Sequence, residues 1–289
     1  MRLEQLKEIQ MVQLTIMDEI HRVCTKNNLR YYLIGGSALG SVRHKGFIPW
    51  DVDIDIAMPR EDYEAFIHIY ASELNSKFSC FDYNSDKHFF SPHAIVALNN
   101  SKVVFSITNI NPNKTYGAYG LYVDILPLDK VPDDLFLRLR HKNQLKFIEK
   151  LRLLKKCTIY SETSKINRFL KIWISRLMPI SLHMINKIQQ KVAQKYNNLE
   201  KKQSRDICST LSHYKYEKLC MPEFIWGTPK LTEFEGRKYY AQEYVNEYLY
   251  LLFGDYMKLP SKEDQLYFME LLKSVEWIDD NGIVHEVKD

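Results

Sequence analysis

Three aspartates, Asp51, Asp53 and Asp55, recur at every second position, with Val52, Ile54 and Ile56 between and after them. In an extended strand, residues two apart point to the same face, so Asp53 and Asp55 aim two carboxylates at one point. Side by side they repel, and one is driven to protonate unless a divalent cation lies between them. All-oxygen ligation suits Mg²⁺ or Mn²⁺, which bridge carboxylates and substrate phosphates. Asp51 has the same parity and is a third candidate ligand. Asp124, in Leu-Tyr-Val-Asp-Ile-Leu-Pro-Leu-Asp, ends a second apolar run, and a neighbouring strand brings it beside the pair.

Upstream of the aspartates lies Gly35-Gly36-Ser37, where a phosphate can approach the backbone closely and the helix that follows presents unpaired amides. Arg43, His44 and Lys45 come between this turn and the aspartates; arginine can fork two phosphate oxygens and lysine adds a point charge. Taken singly, each feature has a plain structural reading: a tight turn, an edge-strand face, a solvated loop. Glycine turn, short helix, basic loop and Asp-x-Asp strand in this order are what a metal–phosphate centre requires.

The elements that must position these residues are legible in outline. Residues 3–28 carry apolar side chains near a helical period and stop at Asn27-Asn28. Arg30–Ile34 reads as a short strand, Ser37 as the cap of a short helix running to Val42, 51–58 as the aspartate strand and 59–74 as a helix. Lys102–Thr108 and Tyr119–Leu126 read as further strands of the same sheet. From 134 to 205 the chain is basic and helix-favouring, and Tyr239–Phe253 reads as a helix ended by Gly254. The expected architecture is α+β: a mixed sheet flanked by helices in a core of residues 1–133, a largely helical basic second lobe at 134–205, and a helical part at 206–289 that completes the catalytic domain.

Composition sets the limits. The 289 residues are 45% hydrophobic and 26% charged, with a formal net charge of +4. No apolar run reaches the ~18 residues a spanning helix needs, and the charged N-terminus is unlike a secretory signal. A cytoplasmic protein is expected. Five cysteines, at 24, 80, 157, 208 and 220, are odd in number and widely spaced, so reduced thiols are expected. Cys208, His213 and Cys220 match no usual zinc spacing. The mild positive charge comes without a nucleic-acid recognition motif, and no nucleic-acid partner is expected.

The stretch from Gly35 to Ile56 closely resembles the LicD family, which includes the fukutin-related proteins. The resemblance continues at Val123-Asp124-Ile125, Phe234-Glu235-Gly236 and Phe253-Gly254-Asp255-Tyr256-Met257. Val52 departs from the pattern, standing where family members often carry another aspartate. The resemblance implies a nucleotidyltransferase-type fold that moves a phospho-alcohol from a cytidine diphosphate donor to a glycan hydroxyl. Phosphocholine transfer from CDP-choline to teichoic acid or lipopolysaccharide sugars is the bacterial case. By carry-over, Asp53 and Asp55 are the metal pair, Asp124 the third carboxylate, and Asp51 the family's first acidic position.

Asp124 is the candidate general base for the acceptor hydroxyl. A choline ammonium would lie against aromatic faces, with Trp50, Tyr116, Tyr119 and Tyr122 near in sequence. The basic segment, as in Asn167–Arg176, interleaves Leu, Ile, Phe and Trp and suits peripheral contact at the inner face of a membrane, which fits a lipid-linked acceptor. Two rivals share the pattern: transfer of a nucleoside monophosphate, and a catalytically silent glycan- or membrane-binding relative.

Overall fold

The first helix, α1 (Leu3–Lys26), buries Leu6, Ile9, Ile16, Met17, Ile20 and Val23 on one stripe and ends where Asn28 takes a left-handed φ of 55°. Each such burial contributes roughly 1.5–3 kcal/mol, enough to fix the helix across the sheet's back. The computed structural model describes residues 3–105, 119–156, 173–175, 177–212, 214–269, 272–279 and 281–288.

The central sheet runs β1 (Tyr32–Leu33), β2 (Asp55–Pro59), β6 (Tyr122–Val131), β4 (Ala94–Leu98), β3 (Phe78–Phe81) in spatial order. Strands β2 and β6 are parallel, and the other pairs on this path are antiparallel. Helix α2 (Gly35–Arg43) joins β1 to β2, and α3 (Arg60–Glu73) follows β2 directly. The lower end of β6 pairs with β7 (Asp206–Cys208), which pairs with β8 (Cys220–Pro222). The expected mixed sheet flanked by helices is what the chain forms.

Three readings need correction. Strand β5 (Ser101–Phe105) is not part of the central sheet: it pairs with β11 (Leu272–Ile278), which pairs with β12 (Val284–Lys288). Its partner lies at the far end of the chain, where no local pattern announces it. The aspartate strand starts at Asp55, and residues 51–54 lead into it outside the ladder. The stretch 206–289 is not mainly helical, since it holds β7, β8, β11, β12 and the hairpin β9 (Lys230–Phe234)–β10 (Arg237–Ala241). The aromatic run at Tyr239-Tyr240 pairs in that hairpin, and the helix begins only at Val245. Glu235 and Gly236, with φ of 50° and 73°, form its two-residue turn, the left-handed pair that matches strand twist.

Among its described residues the basic lobe contains α4 (Leu135–Lys156), packed against α5 (Leu182–Ala193). Arg60 grips Asp129 with two bonds of 2.7 and 2.6 Å and reaches Gln190 of α5 at 2.9 Å; Asn197 donates to the same carboxylate at 2.6 Å. Asp129 is fully buried, so this network fixes the lobe to the end of β6. Among the described residues no helix is long and apolar enough to cross a membrane. Most of Asn167–Arg176, Tyr116, and His213 of the Cys208–Cys220 group lie outside the described residues.

Candidate active site

Parallel pairing of β2 with β6 sets Asp55 directly opposite Asp124, the juxtaposition expected from the two strand patterns. The Asp124 amide donates to Ile54 O at 3.1 Å, closing the ladder at its first rung. On the other side of β6, Ile95 of β4 faces Asp124, and His93, just before β4, meets its Oδ1 through Nε2 at 2.7 Å.

Helix α2 abuts the aspartates with its N-terminus. Ile34, not Ser37, occupies the cap, and no side chain caps the helix. Ser37 sits inside the first turn, where its Oγ accepts the Asp55 amide at 2.9 Å. Gly35 has φ of 54°, and its amide donates to the Tyr248 hydroxyl at 2.9 Å, leaving Gly36 and Ser37 as the next amides at the positive end of the helix. A Cβ on Gly36 would stand 2.4 Å from Asp51 Oδ2, so glycine is what lets that carboxylate rest against the helix start.

The lead-in 51–54 is held from behind. Gln10 Nε2 donates to Asp51 O at 2.9 Å and Gln13 Nε2 to Val52 O at 2.8 Å, both from the buried face of α1. The loop before it is braced by the hairpin turn: the Glu235 amide donates to Lys45 O at 2.7 Å, and Glu235 Oε1 accepts the Phe47 amide at 3.1 Å. That is the physical role of Phe234-Glu235-Gly236. These glutamines, Tyr248 and His93 escaped the sequence reading, in which Glu235 stood only as part of the family resemblance. Gln10 and Gln13 did leave a signal, as polar residues on an apolar helical stripe.

Two clefts open on the carboxylates. One, of 740 Å³, lies between the sheet and α4 and is lined by Gly35, Asp55, His93, Asp124 and the lobe. The other, of 840 Å³, is lined by Gly36, Arg43, Trp50, Asp51, Val52, Asp53, Asp55, Phe253 and Tyr256. Asp55 and Tyr214 line both, so the clefts meet there. Arg43 donates to Tyr256 O at 2.7 Å, while His44 lies edge-on to Trp50 at 6.1 Å and lines neither cleft. Lys45 is exposed at a left-handed turn and also lines neither. Tyr119 packs on Phe81, Phe89 and Phe90, and Tyr122 on Phe90, away from both clefts.

Electrostatically the aspartates are strained. Burial, opposed by the Val52 amide and a hydrogen bond to Asp53, pushes the Asp51 carboxyl up to about 6. Burial, then the charges of Asp55, Asp51 and Asp124, hold Asp53 well above the usual range; burial, then Asp124 and Asp51, do the same for Asp55. Depth within the protein causes this, although each side chain still opens onto a cleft. Among the described residues no group of three or more His, Cys, Asp or Glu side chains is placed to hold a metal ion, so the four aspartates do not form a metal site by themselves. A repelling pair such as Asp53 and Asp55 could hold Mg²⁺ only as two ligands of a site that water and substrate phosphate complete.

A mixed sheet with carboxylates on adjacent parallel strands, facing a glycine-led helix, is the architecture of a nucleotidyltransferase domain. Residues 28–130 match the family model "LicD/FKTN/FKRP, nucleotidyltransferase domain". The chain belongs to the LicD family: it is 30% identical over 267 residues to the lipopolysaccharide cholinephosphotransferase LicD of Haemophilus influenzae, an alignment spanning 90% of this chain and 94% of that one. A shorter match, 53% identical over 34 residues, is to the ribitol 5-phosphate transferase FKRP of Homo sapiens and covers 12% of this chain and 7% of that protein.

Proposed function

We propose that this protein transfers phosphocholine from CDP-choline to a hydroxyl of a cell-surface glycan precursor, lipopolysaccharide or teichoic acid, with Mg²⁺ or Mn²⁺ bound at Asp53 and Asp55. The observation that carries the reading is the likeness to a cholinephosphotransferase along nearly the whole chain. The meeting of two clefts at Asp55 supports it, because a transferase needs a donor and an acceptor on opposite sides of one reacting phosphorus.

The cation, when bound, neutralises the donor diphosphate and the charge developing on the CMP leaving group. Asp53 and Asp55 would hold it, with Asp51 and Asp124 beside them. The Gly36 and Ser37 amides and Arg43 bind phosphate oxygens. Trp50, Phe253 and Tyr256 offer aromatic faces in the same cleft for the quaternary ammonium. Asp124, fixed by His93, accepts the proton of the attacking hydroxyl from the other cleft. The phosphorus–oxygen bond to CMP breaks as the bond to the glycan oxygen forms.

The outer face of α4 supports peripheral contact with an anionic membrane. Phe136 and Phe147 are exposed on one side of α4, and the helix carries eight basic residues against one acidic, although Lys142, Lys146, Lys150 and Arg152 line the inner cleft.

The test is CMP release from CDP-choline with Mg²⁺ or Mn²⁺ and an envelope glycan, beside an Asp53→Asn, Asp55→Asn double variant. Release lost in the variant supports the reading. Pyrophosphate released from a nucleoside triphosphate, with nucleotide left on the acceptor, replaces it with nucleotidyl transfer, and absence of both activities and of cation binding leaves a silent relative.

A further inference from the structure

Strands β7 and β8 carry one thiol each at the same rung. Cys208 and Cys220 stand directly opposite one another in the antiparallel ladder, and the Cys220 thiol donates to Cys208 Sγ at 3.1 Å. The Glu223 amide donates to Arg205 O at 2.9 Å, which makes that rung a hydrogen-bonded pair; the alternation of the ladder then leaves Asp206–Pro222 and Cys208–Cys220 as non-hydrogen-bonded rungs. Proline, without an N–H, fits the first of these, and at the second the Cys220 amide turns away to Tyr216 O. At such a rung the Cα atoms stand about 4.5 Å apart with their side chains facing, inside the span a disulfide requires. Cys208 is fully buried, whereas Cys220 is half-buried and opens onto a 240 Å³ pocket beside Leu135, Leu139 and Arg138. Cys24 and Cys80 are buried elsewhere in the core.

We propose that Cys208 and Cys220 are a reversible disulfide site, oxidised by a low-molecular-weight disulfide, and that the bond fastens the base of a segment walling both clefts. The chain between the two thiols supplies Thr210, Leu211, Tyr214 and Tyr216 to the 740 Å³ cleft, and Tyr214 to the 840 Å³ cleft as well. A Cβ on Gly35 would stand 3.7 Å from Tyr214 Cε2, so this ring lies over the start of α2. Cys220, the accessible thiol, attacks one sulfur of the oxidant as thiolate; the oxidant's S–S bond breaks and a mixed disulfide forms. Burial pushes the Cys208 thiol up and keeps it from the first step, which leaves it the resolving partner. Its sulfur then attacks Cys220 Sγ and expels the second thiolate of the oxidant. The pair loses two electrons, the oxidant is reduced to two thiols, and both protein protons end on those thiols. This pairing does not rest on the phosphotransferase reading.

The test is equilibration of the full chain with oxidised glutathione, followed by non-reducing peptide mass mapping and by thermal melts before and after reduction with dithiothreitol. A Cys208–Cys220 cross-link is expected. Because it closes a short loop, the oxidised protein should melt about 5–10 °C above the reduced one, and dithiothreitol should reverse the shift. Cys208→Ala should hold glutathione on Cys220 as a stable mixed disulfide, whereas Cys220→Ser should take none at Cys208 and keep its melting temperature in oxidant. The wild-type comparison of oxidised with reduced protein needs neither variant to fold well. No cross-link, glutathione left standing on wild-type Cys220, bonding of either thiol to another cysteine, or a cross-link that leaves the melting temperature unchanged overturns the proposal. Phosphocholine transfer enters none of these readouts, so an inactive transferase leaves the result standing.

Discussion

Replacing Asp51 by asparagine should make the cation-free protein more stable, and only at high pH. The Asp51 carboxyl is raised from 3.8 to about 6, chiefly by burial, so the folded state holds its proton more tightly than the unfolded chain does. Stability contributed by the protonated form is therefore complete below about pH 3.8 and is lost as pH rises through about 6. At pH 8, without a counter-cation, the ionised group costs about 3 kcal/mol. Asparagine keeps the shape against Gly36 and removes the charge. At about 2–4 °C per kcal/mol for a chain of this size, Asp51→Asn should melt about 6–12 °C higher at pH 8 in EDTA, with the gain vanishing toward pH 4. The assay is a thermal melt across pH, repeated with saturating Mg²⁺, which should raise the wild-type midpoint and flatten its pH slope more than the variant's. A gain as large at pH 4 as at pH 8 would refute the electrostatic reasoning, because packing and not charge would then explain it.

Asp124→Asn should lower kcat by about 10²-fold or more, and turnover near wild type would remove it as general base. Gly36→Ala forces a Cβ to within 2.4 Å of Asp51 Oδ2, so activity should drop by about 10²-fold with the fold retained by circular dichroism. Arg60→Met strands the buried Asp129 carboxylate and should cost about 3–5 kcal/mol in urea unfolding. Phe136→Ser with Phe147→Ser should reduce sedimentation with anionic vesicles at low salt; undiminished binding would exclude this face of α4.

Local patterns announced what was decided locally. Alternation around Asp55 and the apolar run around Asp124 each spelled a strand, and mixed-sheet pairing then set the two opposite one another. The patterns failed where a distant segment decided the outcome. Strand β5 looks like any central strand, yet its partner β11 begins at Leu272. Tyr239 and Tyr240 fit helix and strand alike over so short a run, and the left-handed Glu235-Gly236 turn settled the matter. Gly35-Gly36 reads as a turn ahead of a helix capped by Ser37, whereas the chain enters α2 at Gly35 itself, whose amide is held by the Tyr248 hydroxyl some two hundred residues on.

The bracing of the aspartate loop by Glu235, and of Gly35 by Tyr248, also orders events on the ribosome. Residues 35–55 emerge early, but their supports follow about two hundred residues later, which at ~5–20 residues per second is a delay of ~10–40 s. Until then the loop before the aspartates and the start of α2 lack these two bonds, although the strands that set Asp55 opposite Asp124 all precede residue 132. The carboxylates are thus brought together by early strands, and the loop and helix end that frame them are fastened by late residues.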